Sequence, residues 1–125
     1  MSDVRPAPQG ARRPVPGRAT VPLDELRFGA DGLLPAVIVD AEGGDVLMLA
    51  WMSRESLARS LETGRTVFWS RSRSELWEKG ATSGHVQRIV DVRVDCDADA
   101  IVVTVEQVGA ACHTGERSCF HRGLT

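Results

Sequence analysis

The apolar residues of this chain come in short runs of strand length, most of them closed off by glycine or acidic residues. One stretch alone carries helical spacing. A chain patterned this way has to build its core from a sheet, because each run can bury one face of a strand. Residues 35–39 and 45–50 are the first two runs, and Asp40-Ala41-Glu42-Gly43-Gly44 between them reads as a hairpin turn. Residues 66–70, 86–94 and 100–108 supply three more strands. Alternation over residues 86–94 sets Val86, Arg88, Val90, Val92 and Val94 on one side and Gln87, Ile89, Asp91 and Arg93 on the other. The helical stretch has Ser53 as N-cap, Glu55 in the first turn, and Leu57, Ala58 and Leu61 at helical spacing. Gly64 lies just past its end, which predicts a helix over Arg54–Thr63. Leu23-Asp24-Glu25-Leu26 reads as a short helix leading in. Residues 70–84 are polar and rich in serine, arginine and glycine, so they read as one long loop, of a length usually kept for function. The expected fold class is mainly β with minor α.

A chain of 125 residues fits one domain and needs no disulfide staples, since a body of this size buries about two-thirds of its unfolded surface. No apolar run of transmembrane length is present, so no membrane association is expected. Nothing near the N-terminus resembles a signal peptide, and a cytoplasmic location is expected. A net charge of −2 argues against a general nucleic-acid binder. That charge is unevenly placed. In residues 1–20 four arginines face Asp3, a local +3 that leaves −5 for the rest. Five of the six prolines fall in the first 22 residues, so residues 1–20 read as a flexible Pro/Arg-rich tail and residues 21–125 as the folded domain. The alternative, a basic arm for RNA or membrane, has only a weak patch to work with.

Three cysteines, Cys96, Cys112 and Cys119, cannot all pair with one another, and in a reducing compartment they read as thiols or metal ligands. The eight residues from Cys112 to Cys119 form a short loop able to bring two thiolates together. Zinc is the natural guest for soft thiolates. Three thiolates plus water describe a catalytic site, while His113 or His121 as a fourth ligand would make a structural one. The alternative is that the cysteines fill space as small apolar groups.

Asp95, Asp97 and Asp99 alternate around Cys96 and Ala98. On a strand the three carboxylates share one face and Cys96 takes the other. Clustered carboxylates suit a hard cation such as Mg²⁺. Residues four apart on a straight strand are ~13 Å apart, however, against ~4 Å across the ion, so either the chain bends or some ligands act through water. An acidic turn between strands is the plainer reading. Across residues 70–84, cations, hydroxyls and glycines are the groups that hold phosphate, although the same composition suits a solvated loop.

Together these segments resemble the phosphoribosyl-AMP cyclohydrolases, a family of histidine biosynthesis. The resemblance rests on Val46-Leu47-Met48-Leu49-Ala50-Trp51-Met52, on Ser70-Arg71-Ser72-Arg73 with Leu76-Trp77-Glu78-Lys79-Gly80 and Thr82-Ser83-Gly84, and on Asp95-Cys96-Asp97-Ala98-Asp99-Ala100. It rests also on Gly109-Ala110-Ala111-Cys112-His113-Thr114-Gly115 with Ser118-Cys119-Phe120. It covers about residues 21–122 and implies a stand-alone form without the fused pyrophosphohydrolase domain of some relatives. Trp51 stands where the family often has Tyr, Ala81 where it often has Glu and His85 where it often has Asn; the last two edge the substrate loop.

The resemblance implies hydrolytic opening of the adenine ring of N1-(5-phosphoribosyl)-AMP at the C6–N1 bond, the third step of histidine biosynthesis. It implies Zn²⁺ on Cys96, Cys112 and Cys119, Mg²⁺ on Asp95, Asp97 and Asp99, and a homodimer that shares the zinc site between subunits. It implies a folded mixed sheet or pseudobarrel. Three thiolates leave a zinc centre at −1, so a nearby base should help, and His113, beside Cys112, is the first candidate ahead of His85 and His121. His113 as an orienting hydrogen bonder is the alternative. The expected substrate-binding residues are Ser70, Arg71, Arg73, Lys79, Thr82, Ser83 and Gly84, with the three cations meeting the phosphates. The tryptophans read as core or interface ahead of base-stacking groups. The rivals are a non-catalytic zinc-binding interaction module and a zinc nucleoside deaminase. The second would carry H-x-E and P-C-x-x-C, and neither is present.

Overall fold

The computed structural model describes residues 19–125, so all but the last two residues of the expected tail lie outside the described part. A one-turn 3-10 helix at Leu23–Glu25 leads in. Strands β1 (Leu33–Asp40) and β2 (Val46–Ser53) follow, then helix α1 (Arg54–Thr63), then β3 (Val67–Ser70), β4 (Glu75–Glu78), β5 (Gln87–Val94) and β6 (Ile101–Gln107). The strands make one sheet in the order β4-β3-β2-β1-β6-β5. β1 and β2 are the expected hairpin, with Gly43 and Gly44 at φ +92° and +80° in its turn, where a side chain would be strained. β1 runs parallel to β6 and antiparallel to β2, which makes the sheet mixed.

The sheet curls. The amide of Thr66, just before β3, donates to the Gln87 carbonyl at 3.2 Å, and that of Ile89 donates to the Gly64 carbonyl at 2.8 Å. These bonds and an Arg65–Arg88 bridge tie the approach to β3 to the edge strand β5. The result is a half-closed barrel of mainly β structure with one helix. Its core is the inward face of the strands: Leu34, Ala36 and Ile38 of β1, Leu47, Ala50 and Met52 of β2, Phe68 of β3, Ile89 of β5, and Ile101, Val103 and Val105 of β6.

Three expectations change. First, the long loop at 70–84 contains β4, which pairs antiparallel with β3 from Val67↔Glu78 to Ser70↔Glu75. Trp77 anchors it on Phe68, with ring centroids 5.5 Å apart, an energy that the polar neighbours hide from a compositional reading. Second, the alternation over 86–94 breaks at a bulge. Ile89 pairs with Val105 and Asp91 with Thr104, so Val90 is an extra residue and the faces exchange. Ile89 is therefore core before the bulge, while Val92 and Val94 pack on the core after it. Third, the helix is where it was expected but its buried face is not. Ser56, Leu57 and Ser60 are inward, whereas Ala58 and Leu61 are exposed. The Ser60 hydroxyl explains this: it meets the carbonyls of Ser56 and Val67 and accepts from the Val67 amide at 2.8 Å, stitching α1 to β3.

Candidate functional site

β6 separates two chemically distinct loops. Before it lies the acidic turn of residues 95–100, and after it the cysteine-bearing segment from Gly109 onward. A strand of this length spans roughly 20 Å.

The acidic turn is not a strand, which corrects the opposite-face expectation. The Asp95 amide donates to the Ala100 carbonyl at 3.0 Å, the Ala98 amide returns to the Asp95 carbonyl at 3.0 Å, and Ala98 sits at φ +63°. The chain bends, and the bend resolves the spacing problem: carboxylate oxygens of Asp95, Asp97 and Asp99 all lie within 4.8 Å of one another. That cluster fits a hard cation with water completing its shell. Cys96 does not point across the backbone from the carboxylates. It is exposed, with Sγ 3.9 Å from Asp97 Oδ1. Desolvation is the largest single influence on the Asp95 carboxyl and works to raise it, but hydrogen bonds from the Asp99 amide, the Asp99 side chain and the Ala100 amide together outweigh it and hold the group below its ordinary value. Asp99, hydrogen-bonded to the Asp95 carboxylate and repelled by it, is held above.

The cysteine segment is built by long-range bonds. Arg117 reaches Asp45 and Asp40 at 2.6 Å each, Ser118 Oγ donates to the Val46 carbonyl at 2.7 Å, and the Cys119 amide donates to the Leu47 carbonyl at 2.7 Å. These fasten the segment to the β1–β2 hairpin. Cys112 is buried, and Thr114 Oγ1 donates to its sulfur at 3.0 Å. That bond, aided by the Thr114 amide, pulls the Cys112 thiol down. Burial pushes the Cys119 thiol up, and its bond with Cys112 adds to the rise. The two sulfurs act on each other as a pair able to share a metal. Among the described residues the aspartates are the only group of three or more potential ligands that converges, so one chain does not bring Cys96 to this pair.

Beside the pair opens a cleft of about 510 Å³, lined by Arg73, Lys79, Thr82, Ser83, His85, Cys112 and His113 among others. Four of the seven expected substrate residues are in it. Ser70 lines a neighbouring cleft of about 290 Å³ with Trp51, Trp69 and Trp77, which also touches Arg73. Arg71 stacks over Trp51 at 4.6 Å, and Gly84 closes a turn through its amide on the Gly80 carbonyl at 2.8 Å. His113 is exposed at the cleft wall, next to the paired cysteines.

The model of one family, phosphoribosyl-AMP cyclohydrolase, matches residues 48–121, which takes in the cleft, the acidic turn and the cysteine pair. The chain belongs to this family. It is 57% identical over 101 residues to the phosphoribosyl-AMP cyclohydrolase of Roseobacter denitrificans, covering 81% of this chain and 79% of that one. To the phosphoribosyl-AMP cyclohydrolase of Marinobacter nauticus it is 56% identical over 103 residues, covering 82% and 75%. To the histidine biosynthesis bifunctional protein HisIE of Thermosynechococcus vestitus it is 66% identical over 104 residues, covering 82% of this chain and 49% of that one. The chain thus spans about half the length of the bifunctional relatives it matches.

Within the phosphoribosyl-AMP cyclohydrolase frame, two features escaped the sequence. His85 is seated by glycines: a Cβ on Gly109 would come within 2.5 Å of its ring, and one on Gly80 within 2.5 Å of its backbone. Its carbonyl is also met by Gln107 Nε2 at 3.4 Å, the half-buried end of a chain that starts at the buried Thr66 Oγ1 and Gln87. The cleft wall is therefore backed by polar groups that hold one another. Only alternation at Gln87 hinted at this, since it falls on the side that carries Ile89. Arg117 was missed as well, and no local signal marks it.

Proposed function

We propose that this chain hydrolyses the C6–N1 bond of N1-(5-phosphoribosyl)-AMP, the third step of histidine biosynthesis, with zinc and magnesium as cofactors. The observation that carries the reading is the cleft, which sets an exposed histidine beside a perturbed thiol pair and faces both toward a hydroxyl-rich loop. Family membership supplies the reaction class. In this reading Arg73, Thr82 and Ser83 bind a substrate phosphate from the cleft wall, with Ser70 and Arg71 serving from the adjoining tryptophan-lined cleft and Gly84 shaping the loop. His113 takes the proton from water as it adds to C6 and returns it as the C6–N1 bond breaks. Cys112 and Cys119 would hold zinc, which lowers the pKa of water and makes that proton easier to remove. Asp95, Asp97 and Asp99 would hold Mg²⁺.

The third thiolate is Cys96 of a second copy in a homodimer. Support comes from β6, which keeps Cys96 and the Cys112–Cys119 pair roughly 20 Å apart in one chain, and from the exposure of Cys96. The chain's three free cysteines suit the reducing cytoplasm. No helix among the described residues is long and apolar enough to cross a membrane.

An absorbance assay of ring opening tests the reading. Activity should disappear on zinc chelation and return with added Zn²⁺. His113→Ala should lower turnover by roughly 10²–10⁴ with zinc content unchanged. Full activity in metal-free protein would sink the zinc role. A His113→Ala loss that tracks lost zinc would make the residue an orienting group instead of the base.

A further inference from the structure

Lys79 is 8% exposed, an unusual place for an ammonium. A buried charge of this kind needs a compensating anion. Among the described residues no carboxylate lies within ion-pair range of it. Its Nζ donates instead to a neutral group, the Ala111 carbonyl, at 2.7 Å, and lies 5.9 Å from the centre of the Trp77 ring. Its own amide is fixed on the Thr66 carbonyl at 3.1 Å, so the side chain starts from a rigid point at the end of β4. The residue it grips is the one before Cys112.

We infer that Lys79 is a positioning residue of the cysteine centre: its bond to the Ala111 carbonyl fixes the backbone from which Cys112 projects, and its buried ammonium supplies the counter-charge for the zinc–thiolate centre that the cysteines would form. The inference rests on the proposed zinc reading. Zinc with three thiolates would carry −1, and an ammonium held on the residue before Cys112 would bring the centre to neutrality. The hydrogen bond to Ala111 adds position to charge, since it sets the backbone from which Cys112 projects. Lys79 thereby acts on the metal ligands and leaves substrate phosphate to Arg73 and the hydroxyl loop.

Zn²⁺ affinity of the full chain, measured by competition with a chromophoric chelator, tests this on Lys79→Met, Lys79→Gln, Lys79→Arg and a Cys112→Ala control. Lys79→Met and Lys79→Gln should each weaken Zn²⁺ binding by roughly 10–100-fold, the range for a group supporting a ligand. Lys79→Arg should stay within about threefold of the parent. The melting temperature of metal-free Lys79→Met should be no lower than that of the metal-free parent, because an uncompensated buried charge has been removed. Parent-like Zn²⁺ affinity in Lys79→Met and Lys79→Gln, with Cys112→Ala impaired, overturns the role of Lys79 and leaves the zinc reading intact. Parent-like affinity in Cys112→Ala overturns the zinc reading itself. Should Lys79→Met fail to fold, Lys79→Gln against Lys79→Arg decides, and equal affinities in those two overturn the inference.

Discussion

Ser60 shows how much of this fold hangs on single polar atoms. A leucine at its place would bury more surface but could satisfy neither the amide nor the carbonyl of Val67, both of which its hydroxyl meets. Ser60→Ala should therefore destabilise the protein by about 1–3 kcal/mol, the cost of orphaning buried backbone groups. Urea unfolding measures this, and a loss under about 0.5 kcal/mol would show that water takes the hydroxyl's place. Sequence gave no sign of the role, because helical spacing of Leu57, Ala58 and Leu61 points the eye at apolar residues. Arg117 is hidden for a different reason. Its partners are 72 and 77 residues away in the chain, beyond any local pattern. By contrast Cys112, Cys119 and the three aspartates were legible as candidate ligands, because few residue types offer a metal a soft sulfur or a hard oxygen.

At the scale of elements, local signals were readable and tertiary ones were not. Helix α1 was placed correctly because both of its ends are written in adjacent residues. Ser53 accepts from the Ser56 amide at 3.1 Å while Ser56 Oγ accepts from the Ser53 amide at 2.9 Å, and Gly64 takes φ +77° at the other end. Ser53→Ala should cost about 1 kcal/mol, and Ser53→Asp should recover most of it. Thermal melts of the two variants would check this, and equal destabilisation by Asp and Ala would deny the cap its part. β4 and the β5 bulge were missed because each depends on a partner. β4 is a strand through β3 and the Phe68–Trp77 contact, and the bulge exists only relative to the register of β6. For residues 95–100 a strand and an acidic turn both fitted the alternating aspartates, and the backbone bonds that close the segment decide for the turn.

The molecule as a whole poses the question of how the proposed zinc could draw on Cys96 as well as on the Cys112–Cys119 pair. β6 runs parallel to β1, from the level of Ala36 opposite Ile101 toward the hairpin end, where the cysteine segment is fastened to Leu47, Asp40 and Asp45. Cys96 and the cysteine pair thus hang off opposite ends of the same strands. A second copy related by a twofold axis can present its acidic turn to the first copy's cysteine segment, and the symmetry then builds two identical sites. Co-expression of Cys96→Ala with Cys112→Ala tests this. Each variant alone should be inactive. A mixed dimer concentrates both lesions in one site and leaves the other whole, so with random pairing about half the dimers are mixed, each with one working site, and about a quarter of normal activity should return. If each site were built within one chain, both sites of a mixed dimer would be broken. Mixed dimers isolated by two affinity tags and found inactive would therefore reject the shared centre, whereas a return near one quarter could come only from sites assembled across the two copies.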